Sequence, residues 1–283
     1  MRILITGADG QVGSILTKTL KHYEVIPISR KNCDLTNVND IKKTIDHHHP
    51  NLIINTAAFT NVNKAETEHE LAFKINKEAP KIIAQKSLEH DIPLIHFSTD
   101  YVFDGYKKTS YVETDDTNPL NVYGRSKLAG ESEIQLVGGQ YYIFRTSWIY
   151  SNIGHNFFLT IKNLSFEDKE IKIVDDQFGV PSSNIFIAKH INSIVMSLNK
   201  KNTGIYNLVP NDQCSWYQFG ISIIKKINPN YDFNKIHAIK SSDYSSTISR
   251  PKMSVLDNTK IKSTFMLNFE NWQTELDKVI NEA

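Results

Sequence analysis

Thr99, in Ser98-Thr99-Asp100, and Tyr123, in Tyr123-Gly-Arg-Ser-Lys127, carry the most suggestive chemistry in this chain. On a helix, Tyr-x-x-x-Lys brings a phenol and an ammonium onto one face, because residues four apart are neighbours there. A free phenol ionises near about 10 and is a poor acid or base at neutral pH. A nearby cation favours the phenolate and eases proton exchange. A hydroxyl at a strand end, such as that of Thr99, can hold a carbonyl oxygen while negative charge develops on it. Together these groups suit carbonyl reduction if a hydride donor binds nearby. Taken singly, Thr99 reads as a strand-end cap and Tyr123 as a half-buried aromatic at a helix start. Their combination with the N-terminal sequence favours chemistry.

The chain opens Met1-Arg-Ile-Leu-Ile-Thr6, an apolar run suited to a buried parallel strand. Gly7-Ala-Asp-Gly10-Gln-Val-Gly13 follows, then a helical pattern through Leu16, Thr19 and Leu20. Glycines let the backbone turn tightly and approach a pyrophosphate, and the helix N-terminus offers free N–H groups and partial positive charge. Gly7, Gly10 and Gly13 therefore read as a dinucleotide loop. A second strand, Glu24–Ile28, ends at Ser29-Arg30-Lys31. An acidic residue at that end would grip the ribose of NAD, whereas a basic one accommodates the 2′-phosphate of NADP. Arg30 thus favours NADPH, with NADH the alternative. Asp34-Leu35 either reaches the adenine or caps the next helix.

Strand and helix patterns alternate from there. Helices are expected at 38–47, at 68–90 with a break near Pro80, and at 123–136; strands are expected at 51–55, 93–98 and 141–146. The fold class is α/β, a Rossmann-type doubly wound parallel sheet with a smaller α/β substrate-binding lobe. Gly7, Ala57, Thr99 and Trp148 each fall just past a strand end, the edge where such sheets bind ligands. The second half is less regular, with helices expected at 156–165, 185–198, 215–227 and 271–279 and short strands at 170–174, 204–208 and 235–239. Residues 1–150, with about 177–203 and 246–262, form the expected dinucleotide-binding domain. Residues 151–176, 204–245 and 263–283 form the expected lobe.

Composition narrows the function classes. The 283 residues are 40% hydrophobic, enough for a full core, and the formal net charge of +1 gives no reason to expect a nucleic-acid or anionic-membrane partner. Cys33 and Cys214 stand far apart, which fits a reducing cytoplasm. No apolar run approaches the roughly 18 residues of a membrane span. His47-His48-His49 reads as the polar end of a surface helix stopped by Pro50, and Asp175-Asp176 as a loop turn rather than a metal pair.

Longer blocks make the chain resemble the extended short-chain dehydrogenase/reductases and, within them, the dTDP-4-dehydrorhamnose reductases. These blocks are Gly7 to Gly13, Asp34-Leu-Thr36, Asn55-Thr-Ala-Ala-Phe-Thr60, Lys64-Ala-Glu66 and Ser98-Thr-Asp-Tyr-Val-Phe-Asp-Gly105. They continue with Asn118 to Glu131, Arg145-Thr-Ser-Trp148, Val174-Asp-Asp-Gln177, Arg250-Pro251 and Leu256-Asp257. The resemblance implies an NAD(P)H-dependent reduction of the 4-keto group of a dTDP-linked 6-deoxyhexulose to dTDP-L-rhamnose. It implies that Thr99 bonds the sugar carbonyl, that Tyr123 donates the proton, and that Lys127 holds the nicotinamide ribose and lowers the pKa of Tyr123. It places Gly10, Gln11, Val12, Arg30, Asp34, Leu35, Ala57, Ala58, Phe59 and Phe97 at cofactor positions, and Asp100, Tyr101 and Trp148 beside the substrate. Dehydratases that resemble this chain carry Glu after Thr-Asp; here Tyr101 stands there and cannot replace a carboxylate near neutrality. Some relatives pair through magnesium held by a glutamate two residues after the third glycine. Ile15 occupies that position and cannot ligate a hard cation. The expectation is therefore a monomer or weak homodimer, with no bridging metal.

Overall fold

The structure is a computed structural model, described for residues 1–167, 169–244 and 248–282. The opening units are β1 (Arg2–Thr6), α1 (Gln11–Thr19), β2 (Glu24–Ile28), α2 (Val38–His48) and β3 (Leu52–Asn55). Two short helices, α3 (Val62–Ala65) and α4 (His69–Phe73), lead through a π-helical turn at Lys74–Glu78 into α5 (Ala79–Glu89). Pro80 thus sits where the π-helical turn passes into α5 with the backbone helical on both sides, so the expected break is a local π-type turn rather than a helix end. Then come β4 (Leu94–Thr99), α6 (Val122–Val137) and β5 (Tyr141–Thr146).

The remaining chain is more broken. It runs β6 (Ile149–Tyr150), α7 (Phe157–Leu164), β7 (Ile171–Val174), β8 (Phe178–Gly179), β9 (Ser182–Ser183) and α8 (Asn184–Val195). It continues with β10 (Gly204–Asn207), β11 (Cys214–Ser215), α9 (Trp216–Ile227), β12 (Ile236–Ile239), α10 (Thr259–Phe265) and α11 (Trp272–Asn281).

Six parallel strands form the main sheet in the order β10-β5-β4-β3-β1-β2. The order reverses between β1 and β3, which opens a crevice beyond the strands' carboxyl ends. Both faces are covered, so the strands are apolar nearly throughout. Ile3, Ile5 and Ile95 pack with α1, α8 and α10 on one face. Leu4, Ile53 and Leu94 pack with α2, α5 and α6 on the other. A separate core, with Phe158, Ile173, Phe219, Trp272 and Leu276, joins α7, β7, α9 and α11 into the lobe.

Two details depart from the expected division. The segment at 204–207, assigned from sequence to the lobe, is an edge strand of the main sheet with Gly204 opposite Tyr142. Its Tyr206 is buried against Phe144 and Phe265. Phe265 of α10, also assigned to the lobe, packs in the main core. The expected boundary at 245–246 lies outside the described residues.

Candidate active site

The start of α6 is held by three local devices. Asn121 caps it, its side chain accepting from the Gly124 N–H at 2.9 Å. Glu66 accepts from the Val122 N–H at 2.6 Å. Gly124 packs directly on the turn after β4, where an added Cβ would lie 2.2 Å from the Tyr101 carbonyl oxygen. The absent methyl lets Tyr123 close on the end of β4. The rings of Tyr101 and Tyr123 meet edge to face at 5.7 Å, and the Tyr123 phenol lies beside the Thr99 hydroxyl. Thr99 Oγ1 also donates to Asp100 Oδ1 at 3.1 Å and accepts from the Tyr101 N–H at 3.2 Å.

Burial dominates the electrostatics here. It raises the Tyr123 phenol well above its ordinary range, helped by Asp100 and Tyr101 and opposed by the Thr99 hydroxyl. This departs from the expectation that Lys127 eases ionisation of Tyr123. The reason is geometric: the Lys127 ammonium donates to the Phe97 carbonyl at 2.6 Å and lies 3.2 Å from His96 Nε2. Burial lowers the Lys127 ammonium itself to about 8, opposed by Glu131. Burial also raises Asp100 to about 6, against hydrogen bonds from Ser254, Thr99 and Ser147, and Tyr101 to about 12.

These residues stand along a cleft of about 1260 Å³ that runs back to the glycine loop. Gly7 has φ +68°, and a Cβ there would lie 2.8 Å from the Ala57 backbone. No side chain caps α1, and Gly10, Gln11, Val12 and Gly13 at its start line the cleft. A bare helix start with room for close backbone approach fits a dinucleotide pyrophosphate. Arg30, Asp34, Leu35, Ala57, Ala58 and Phe97 line the same stretch. Asp34 is occupied locally, accepting from the Thr36 N–H and hydroxyl at 2.9 and 2.8 Å. Phe59 does not line the cleft. Asn76 pins its backbone by two hydrogen bonds, and its ring packs in a small cluster with Ala65, Ala72 and Val122.

The lobe closes the other end. Trp148 has φ +48° and stacks on Trp216 with centroids 3.5 Å apart and planes 9° apart. Gly179 makes room for it, since a Cβ there would lie 2.4 Å from the indole. The Gln11 side chain accepts from Ser151 and Asn156, at 2.7 and 2.9 Å, tying the glycine loop to the chain that enters α7. The sequence reading gave Trp216, Asn156 and Tyr244 no site role, although all three line the cleft. It quoted Arg250 only within a family block. Arg250 also lines the cleft, and its buried Nε has no hydrogen-bond partner among the described residues.

A family model described as the RmlD substrate binding domain matches residues 1–283. A dTDP-4-dehydrorhamnose reductase from Aggregatibacter actinomycetemcomitans is 37% identical, with 98% of each chain covered. The crystal structure of dTDP-4-dehydrorhamnose reductase from Bacillus anthracis in complex with NADP matches at TM-score 0.94 and 31% identity, covering 100% of this chain and 99% of that one. The Clostridium acetobutylicum protein of that name matches at TM-score 0.94 and 36% identity, with the same coverage.

Proposed function

Since this chain belongs to the dTDP-4-dehydrorhamnose reductase family, we propose that it reduces the 4-keto group of dTDP-4-dehydro-6-deoxy-L-mannose with NADPH, giving dTDP-L-rhamnose. The observation that carries this reading is that Thr99, Tyr123 and Lys127 line one cleft with the glycine loop.

Bound NADPH supplies the hydride. Gly7, Gly10, Gln11, Val12 and Gly13 would hold its pyrophosphate, Ala57 and Ala58 its middle, and Arg30 its 2′-phosphate, with Asp34 and Leu35 beside the adenine. Lys127, with Phe97 behind it, would hold the nicotinamide ribose. Thr99 and Tyr123 hold the sugar oxygen between two donors while it gains negative charge. Tyr123 then gives up its proton. Burial disfavours its ionisation and keeps the phenol protonated across the neutral range. Asp100, Tyr101 and Trp148 would bound the sugar, and Arg250, whose Nε has no partner among the described residues, suits the substrate's diphosphate through a charge-assisted contact. Among the described residues no helix is long and apolar enough to cross a membrane. A cytoplasmic site of action, a monomer or weak homodimer, and no requirement for a divalent metal complete the reading.

The test is to incubate the protein with NADPH, dTDP-4-keto-6-deoxyglucose and a 3,5-epimerase, then identify the sugar formed. dTDP-L-rhamnose with stoichiometric NADPH oxidation is the expected result. An isomerised sugar without net oxidation would instead identify an epimerase.

A further inference from the structure

Three neighbouring strands carry a polar residue at the same level of the main sheet. Thr6 of β1 lies opposite Asn55 of β3, and Asn55 opposite His96 of β4. Relative exposures are 4%, 1% and 0%. Two positions earlier on each strand, Leu4, Ile53 and Leu94 belong to the apolar core shared with α2, α5 and α6. The row is connected: Thr6 Oγ1 lies 2.6 Å from Asn55 Oδ1, Asn55 Nδ2 3.0 Å from His96 Nδ1, and His96 Nε2 3.2 Å from Lys127 Nζ. Buried polar groups are costly unless each is bonded. Here the bonds run across the sheet and end on the one lysine that lines the cleft.

Proton counting fixes the form of the row. A lysine ammonium has three protons and no lone pair. One of its protons goes to the Phe97 carbonyl. The proton facing His96 therefore requires a bare Nε2, which puts the proton of a neutral imidazole on Nδ1. That N–H needs an acceptor, and the Asn55 amide oxygen can supply it. The structure sets the Asn55 NH₂ toward His96 and its oxygen toward Thr6; the tautomer requires the half-turn that exchanges the two, after which the NH₂ faces Thr6 Oγ1, itself an acceptor. Burial first, and the Lys127 charge second, hold His96 neutral.

The other groups facing Lys127 do not offer it an equivalent partner. On its own helix, Tyr123 stays protonated, and Glu131 is ion-paired at 2.6 Å with Arg145 of β5. On the β4 side are the Phe97 carbonyl, His96 and, beyond the strand end, Asp100, whose contacts are Thr99, Ser147 and Ser254. β1 and β3 bring only the uncharged Thr6 and Asn55.

We propose that His96 is the positioning residue behind Lys127: a neutral imidazole, given its Nδ1–H tautomer by Asn55, whose Nε2 accepts from the ammonium and keeps it charged and aimed at the cleft. Only the catalytic consequence rests on the reductase reading; the tautomer does not.

Two experiments test this on the full chain. In the ¹⁵N-histidine-labelled protein, with the His96 signals assigned by loss in His96→Gln, NMR near pH 7 should show a protonated Nδ1 and a bare Nε2. A protonated Nε2 would overturn the proposal, whether or not the protein reduces a keto-sugar. The second reads the alkaline limb of the kcat/KM profile. His96→Leu removes the acceptor, so Lys127 sheds its proton more readily and the limb moves about one pH unit toward acid. His96→Gln restores an acceptor oxygen and should keep the limb in place. Reduced thermal stability in both variants with the limb unmoved would mean a packing role only, and would also overturn the proposal. Absence of any keto-sugar reduction by the unaltered protein would defeat the functional reading alone, with the NMR result still standing or falling by itself.

Discussion

The main sheet and the lobe hold their site residues by different means. At the sheet, position comes from register: Thr99 is level with Thr146, and Thr6, Asn55 and His96 form one row. Helix α6 is then locked onto this edge by a cap and a glycine, so Tyr123 has one place to go. In the lobe, position comes from stacking. Trp148 leaves β5 in a left-handed conformation, lies on Trp216 and sits over Gly179, among strands of two residues each. The difference teaches that proton chemistry is built on the part that least tolerates displacement. On the proposed reading, recognition of the nucleotide-sugar is built on aromatic surfaces that can be exchanged piecemeal.

That contrast can be attacked from either side. Tyr123→Phe removes only the proton donor from the sheet side. Reduction should fall by about 10²–10⁴-fold with NADPH affinity unchanged in a fluorescence titration; near-normal turnover would dismiss Tyr123 as the acid. Gly124→Ala places a methyl against the Tyr101 carbonyl. Overpacking of this kind costs about 1–3 kcal/mol, visible in thermal unfolding, and an ångström of displacement costs about 10²-fold in kcat. Trp216→Ala, on the lobe side, should raise KM for the nucleotide-sugar about tenfold through lost stacking and leave kcat within about threefold. A kcat collapse there would erase the distinction between the two regions.

Smaller effects sharpen the picture. Burial holds Lys127 below its ordinary value, so its charge is present below about 8 and lost as pH rises through it. Activity should therefore fall about tenfold per unit above that point. The sign for stability is opposite. Above about 8 the native state has shed a proton that the unfolded chain still binds, so stability gains with pH until the unfolded lysine also titrates. Arg30→Ala should lower the NADPH-to-NADH preference about fivefold by loss of one charge-assisted contact, measured as a ratio of kcat/KM values.

The buried parallel strands were readable because two covered faces demand continuous apolar runs. The bounds expected for β2 and β5 coincide with those observed. The glycine loop and the Tyr-x-x-x-Lys helix were readable because spacing alone dictates their geometry. What escaped was decided by distant contacts. The four-residue β10 belongs to the sheet because Tyr206 packs on Phe144 and Phe265. Phe59 turns from the cleft because Asn76 holds its backbone. Lys127 turns from Tyr123 because a carbonyl and an imidazole wait behind it. No local pattern encodes those encounters, although Thr6, Asn55 and His96, polar positions at one level of three largely apolar strands, were a visible trace of the last.

The most direct test of the central claim follows the hydride. With NADPH deuterated at C4 of the nicotinamide on the transferred face, the account predicts one equivalent oxidised per sugar and deuterium at C4 of dTDP-L-rhamnose. A product formed without net NADPH consumption, or carrying the label at any other carbon, would contradict it.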